Sequence, residues 1–219
     1  TGKKYGLIIT LYIYTPSDVN TLSYDTGAHV FITNQTESLA SVNGIDAAAG
    51  TATSIIVGKT FADQLPSPYN DCYDTLSESS DFDSYYYRKT IESGFTYKQK
   101  DCFNFCEQKY YIDNCQCASG AYSTLEGARF CRNLTEVKCL DTKFGELYTS
   151  GQNSRFSSFC PRECSTHTFP ITVSHSYFPS DIYGSLLMNN SALNTLLGSV
   201  NTTVSVTNLQ KNLVWLNVF

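Results

Sequence analysis

Between Tyr5 and Tyr14 apolar residues alternate in a strand-like way on both sides of the chain. Leu7, Ile9, Leu11 and Ile13 fall on one face; Ile8, Thr10, Tyr12 and Tyr14 fall on the other. Successive side chains of a strand point to opposite faces, so a segment apolar on both is expected to be covered on both. Thr15-Pro16-Ser17-Asp18 closes it with turn residues. The pattern predicts further strands over Gly27–Thr33 and over 51–61, the latter centred on Ile55-Ile56-Val57. Residues 34–50, rich in Ser, Asn, Gly and Ala, read as loop. Leu65-Pro66-Ser67-Pro68-Tyr69-Asn70-Asp71-Cys72 then interrupts regular structure, because each proline lacks a donor and restricts its predecessor. Strand patterns return at Phe169–Ser176, at 202–206 and at Asn212–Phe219. Before the last two, Ser191 is placed to cap a short helix whose stripe is Leu193, Leu196, Leu197 and Val200.

The middle of the chain follows a different rule. Residues 73–84 are acidic and Ser-rich, as a solvated loop or helix start. Thr96-Tyr97-Lys98-Gln99 fits a capping box, which predicts a helix from about Tyr97 to Asp113. Cys102 and Cys106 then leave one helical face, one turn apart. Cys115 and Cys117 follow in an extended turn. Eight of the nine cysteines lie between Cys102 and Cys164, with Cys72 upstream. Such density implies disulfides and an oxidising compartment. Structural zinc is the competing explanation for Cys115-x-Cys117. Zinc sites favour two to four intervening residues and often a histidine, and no histidine lies within the cysteine cluster until His167. Any eight of these cysteines already allow about a hundred pairings, so spacing alone selects none.

Charge and composition narrow the function. A net charge of −5 lacks the clustered Lys and Arg that nucleic acid demands. Four sequons, at Asn34, Asn133, Asn189 and Asn201, agree with a secretory-pathway protein. Thr1 opens no signal peptide, and no apolar run reaches the roughly 18 residues that could span a bilayer. The chain is therefore expected to be a piece of a longer secreted or membrane-anchored protein. An enzyme is not expected: His29, His167 and His175 have no nucleophile or acid at a catalytic or metal spacing, and no phosphate-cradling glycine loop occurs. No cofactor is expected either.

Several stretches resemble the extracellular domain of the degenerin/epithelial sodium channel family, which includes acid-sensing and peptide-gated channels. They are Gly6-Leu-Ile-Ile-Thr-Leu, Gly27-Ala-His-Val-Phe-Ile, Leu65-Pro-Ser-Pro-Tyr-Asn-Asp-Cys72, Cys102-Phe-Asn-Phe-Cys106, Asp113-Asn-Cys-Gln-Cys117, Gly127-Ala-Arg-Phe-Cys131, Cys160-Pro-Arg-Glu-Cys164 and Lys211-Asn-Leu-Val-Trp-Leu-Asn-Val-Phe219. The resemblance implies an α+β ectodomain: a β-rich palm and β-ball from residues 1–71 and 169–219, a cysteine-rich helical thumb over 72–168, and a short knuckle helix at Ser191–Val200. Finger, transmembrane helices and selectivity filter would lie outside. It pairs Cys72 with Cys164, Cys102 with Cys160, Cys115 with Cys139, and Cys117 with Cys131. A tenth cysteine usual in the family is missing from Arg155-Phe-Ser-Ser-Phe159, so the resemblance implies that Cys106 is unpaired or bonded to another molecule, unless the pairing has shifted.

The implied function is that of an amiloride-sensitive sodium channel subunit at the plasma membrane. It would be gated by ligand or force and would assemble with two further subunits. Tyr69 matches an aromatic that couples thumb to pore. Asp141 matches an acidic-pocket carboxylate, and Glu146 stands next to a second such position. A proton or a peptide is the implied ligand, and sodium the conducted ion. A soluble, glycosylated, disulfide-rich binding protein without a pore is the rival reading.

Overall fold

The computed structural model describes residues 5–13, 26–191, 194, 195 and 205–219. It combines helices with several small sheets and divides into two compact units. One comprises Thr1–Ile32, Gly44–Thr60 and Thr168–Phe219; the other comprises Thr33–Asn43 and Phe61–His167.

The first unit is built on four strands: β1 (Leu7–Tyr12), β4 (Thr51–Val57), β7 (Ile171–Tyr177) and β8 (Leu213–Val218), in the order β1-β8-β4-β7. β1 lies antiparallel to β8 and β7 antiparallel to β4, while β4 and β8 pair in parallel, with Thr51 opposite Val214 and Ile55 opposite Val218. Central position explains burial: Ile55, Leu213, Val214 and Leu216 are removed from solvent. β1 departs from expectation. It is an edge strand, and its Leu7 and Ile8 are 62% and 52% exposed, so only Ile9, Leu11 and the following Ile13 reach the cluster around Ala47, Val214 and Leu216.

A second pair, β2 (Gly27–Val30) and β3 (Ile45–Ala48), is antiparallel. β3 lies inside the stretch expected to be loop. Gly50 turns the chain from β3 into β4 with φ of 76°, and a Cβ there would meet the carbonyl oxygen of Gln210 at 2.3 Å; glycine meets both demands. The strand expected over 51–61 ends at Val57, where the chain breaks at Gly58 and Lys59 before β5 (Thr60–Asp63).

Toward the C-terminus, α4 (Asp181–Met188) is capped by Ser180, and a short helix, α5 (Val206–Asn212), is capped by Ser205. Val206 therefore opens a helix rather than ending a strand: the Ser205 hydroxyl accepts from the Asn208 N–H, and such a bond starts a helix. The leucine stripe expected between Ser191 and Val200 lies outside the described residues, as does Asn201.

The second unit carries α1 (Tyr85–Glu92), α2 (Gln99–Cys115) and α3 (Leu134–Thr149), with 3-10 turns at Leu39–Ser41 and Gln152–Ser158. β5 pairs with β6 (Ser165–Thr168). Its core gathers Tyr87, Tyr97, Cys102, Cys106 and Cys160, flanked by Phe82, Phe103 and Phe156. The capping box expected at Thr96 does not form. Thr96 donates instead to the Thr36 hydroxyl, and α2 begins after Lys98, which makes no side-chain cap. The cap is supplied from afar: a Glu163 carboxylate oxygen accepts from the Gln99 N–H at 3.1 Å. At the other end Gln116 turns left-handed with φ of 60°, so Cys115 is helical and Cys117 lies just beyond.

Candidate functional site

Four disulfides brace the helical unit. Cys72–Cys164 closes the widest sequence separation, 92 residues, at a Cα–Cα distance of 5.0 Å. Beside it Tyr73 donates its N–H to the Arg162 carbonyl and accepts from the Cys164 N–H, so backbone and sulfur hold the same junction. Cys102–Cys160 fastens α2 to the turn preceding β6, and Cys115–Cys139 ties the end of α2 to α3. Cys117–Cys131 closes a 14-residue separation reinforced by a bridge between Ala118 and Phe130. Cys106 is a free, buried thiol. The sulfurs of Cys117 and Cys131 and a Glu136 carboxylate oxygen lie within 4.8 Å of one another. Bonded sulfurs are not the thiolates that bind metal, and Arg129 already takes that carboxylate at 2.7 Å. Arg129 and the Arg132 N–H together hold the Glu136 carboxyl down to about 2.

Two polar clusters occupy the same unit. Glu37, 4% exposed, sits in the segment Thr33–Asn43. Its Oε1 lies 2.9 Å from Lys98 Nζ and 2.5 Å from His167 Nε2, and its Oε2 accepts from the Thr33 hydroxyl. Burial alone would raise this carboxyl's pKa. The Lys98 hydrogen bond and charge, with Thr33 and His167, outweigh it and hold the group below its usual range.

The second cluster centres on Glu107 of α2, also 4% exposed, which accepts from the hydroxyls of Tyr122 and Tyr148. Burial and this bond push Tyr148 up to about 12, and move Tyr122 in the same direction. Next to Glu107, the fully buried Gln108 accepts from the Ser119 N–H and donates to the carbonyls of Ser119 and Ser123. Tyr122 is thereby held parallel to Tyr111, at 6.5 Å between ring centres.

The positions singled out in the sequence fall elsewhere. Tyr69 is 75% exposed, in a turn where its N–H donates to the Pro66 carbonyl. Asp141 and Glu146 are both exposed on α3. Five residues apart, they point about 140° away from each other around the helix, and Glu146 is paired with Lys143 at 2.6 Å. They are not brought together.

Asn34 and Asn189 are exposed. Asn133 is exposed too and caps α3 by accepting from the Glu136 N–H, which leaves its amide nitrogen clear of the cap. Each histidine has a partner distant in sequence: His29 with Asp46 across β2 and β3, His175 with Thr53 across β4 and β7, and His167 with Glu37. Neither Glu37 nor Glu107 was singled out in the sequence. Glu107 at least follows Phe105 and Cys106, whereas Glu37 stands between Thr36 and Ser38 with no local signal of burial.

The model of the family described as "Amiloride-sensitive sodium channel" matches residues 1–219. Degenerin deg-1 of Caenorhabditis elegans is 28% identical over 184 residues, covering 82% of this chain and 23% of that protein. The degenerin-like protein asic-2 of Caenorhabditis elegans is 30% identical over 191 residues, covering 83% and 33%. The epithelial sodium channel subunit beta of Mus musculus is 26% identical over 219 residues, covering 100% and 33%. The chain thus spans a quarter to a third of the length of these relatives.

Proposed function

The chain belongs to the amiloride-sensitive sodium channel family, and from that premise we propose that it is the extracellular part of a sodium channel subunit that carries an outside stimulus toward a pore. The single observation that carries this reading is the family match over all 219 residues. The sheet unit corresponds to the family's palm and β-ball. The helical unit, with all four disulfides, corresponds to the thumb; its three helices and every bridged cysteine lying in one compact body supports that assignment. The subunit acts at the plasma membrane with two further subunits, by gating rather than catalysis.

The stimulus is a ligand or a force transmitted through the thumb, and it can act only by favouring one arrangement of the subunit over another. Asp141 and Glu146 are the candidate acid-sensing positions. Among the described residues, the carboxyls of Glu37, Asp81, Glu126 and Glu136 are held below their ordinary range.

Tyr69 couples the thumb base to the pore. Its exposure supports this, because a ring that only packed the neighbouring prolines would be covered. Tyr69→Ala in the full-length subunit should reach the cell surface in normal amount while stimulus-evoked current falls at least several-fold. Surface biotinylation and voltage-clamp recording measure the two quantities, and an unchanged current removes Tyr69 from the pathway.

The flanking gene sequence tests the assignment as a whole. A channel subunit carries an apolar run of about 20 residues on each side of this segment. A gene with neither run makes it a soluble, glycosylated binding protein instead.

A further inference from the structure

Three sulfurs meet in the core of the helical unit. Cys102 and Cys106 leave one face of α2, one turn apart. Cys102 is bonded to Cys160, and the Cys106 Sγ lies 3.8 Å from the Cys160 Sγ. Cys102 and Cys160 are fully buried and Cys106 is 4% exposed, with Tyr87, Tyr97, Phe103 and Phe156 around them. Moving from 3.8 Å to a bonding distance of about 2.0 Å is within the reach of a side-chain rotation and a small backbone shift. Cys106 has no disulfide partner of its own, and a disulfide sulfur lies 3.8 Å from its thiol.

We propose that Cys160 is shared between two thiols, and that the helical unit exists as two disulfide isomers, Cys102–Cys160 and Cys106–Cys160. In the exchange the Cys106 thiolate sulfur bonds to the Cys160 sulfur and the Cys102–Cys160 bond breaks. The electron pair leaves on the Cys102 sulfur, which takes up the proton that Cys106 released. Four disulfides and one thiol exist before and after, so no oxidant or reductant is consumed.

The exchange moves the link one turn along α2. It works against contacts that seat residues 160–163 at the first turn of that helix: Gln99 Nε2 donates to the Cys160 carbonyl, the Tyr97 hydroxyl to the Pro161 carbonyl, and the Gln99 N–H to Glu163. The first isomer therefore predominates, and these contacts set the balance. Burial, with the Glu107 charge adding to it, pushes the Cys106 thiol up to about 12. The attacking thiolate is scarce, and interconversion is slow unless a small thiol catalyses it. None of this depends on the chain being part of a channel.

The test is Cys102→Ser in the full chain, made in a secretory host. Thiols are alkylated in acidic denaturant to prevent scrambling, then counted by intact mass. The proposal expects no alkylated thiol and a Cys106–Cys160 fragment in a chymotryptic map. Chymotrypsin cuts after Phe103 and Phe105, which separates position 102 from Cys106. Two alkylated thiols, on Cys106 and Cys160, overturn it. If the variant is not secreted, the wild-type chain decides. After incubation with catalytic reduced glutathione, the alkyl label should divide between Cys106 and Cys102; label on Cys106 alone overturns the proposal.

Discussion

Replacing Cys72 and Cys164 together by serine should lower the melting temperature by roughly 8–20 °C, the largest loss expected from any of the four disulfides. The bond closes a separation of 92 residues. On the chain-entropy account, constraining an unfolded loop of that size stabilises the fold by about 4–5 kcal/mol, and each kcal/mol moves the midpoint by about 2–4 °C in a chain of this length. The backbone bonds between Tyr73 and residues 162–164 remain in the variant but no longer restrict the unfolded chain. The matching change at Cys117 and Cys131, across 14 residues, should remove about 3 kcal/mol. Thermal scans of both double variants check the ordering, and a larger loss at Cys117 and Cys131 would contradict it.

Glu37→Gln is the second change with a large expected effect. Lys98 and His167, with side chains 22% and 20% exposed, would face a neutral amide instead of a carboxylate. Removing one partner from a fully buried ion pair costs about 3–5 kcal/mol. Solvent still reaches Lys98, which reduces the expected loss to about 2–3 kcal/mol near neutral pH. The pH dependence distinguishes this cause from lost packing. The Glu37 carboxyl in the fold lies below its ordinary value of 4.5. Its contribution is therefore fully present above that value and disappears as pH falls through the lowered folded pKa. The melting temperatures of wild type and Glu37→Gln should converge as the solution is acidified below about 4.5. A gap that stays constant across that range would assign the loss to shape rather than charge.

The Glu37 cluster also marks where reading the sequence stops. It unites Thr33, Glu37, Lys98 and His167, drawn from three separate stretches, and no local pattern links them. The strands were legible where apolar and β-branched residues recur along the chain, as in β1, β4, β7 and β8, although of these only β4 and β8 hold fully buried residues. β3 was not, because its only buried residue is Ala47 in a stretch of small and polar residues. α3 was not either: Leu147 is its only buried residue, and Asn133 and Cys139 tether a helix whose Leu134, Val137 and Phe144 face solvent. The start of α2 was misplaced because its cap comes from Glu163, 64 positions further along the chain. The sulfur pairing came from resemblance to a family, since many pairings suit the same spacing. What the resemblance could not supply is the short distance from Cys106 to Cys160, which only the packing of α2 against the turn before β6 reveals.

Current across a membrane tests the central claim most directly. The full-length gene is expressed in oocytes, its surface density is counted by biotinylation, and the cells are challenged with acid, with neuropeptides and with stretch. A stimulated inward current that amiloride blocks, and that vanishes when a large organic cation replaces external sodium, is the predicted result. Protein abundant at the surface with no amiloride-sensitive current under any of these stimuli would contradict the account.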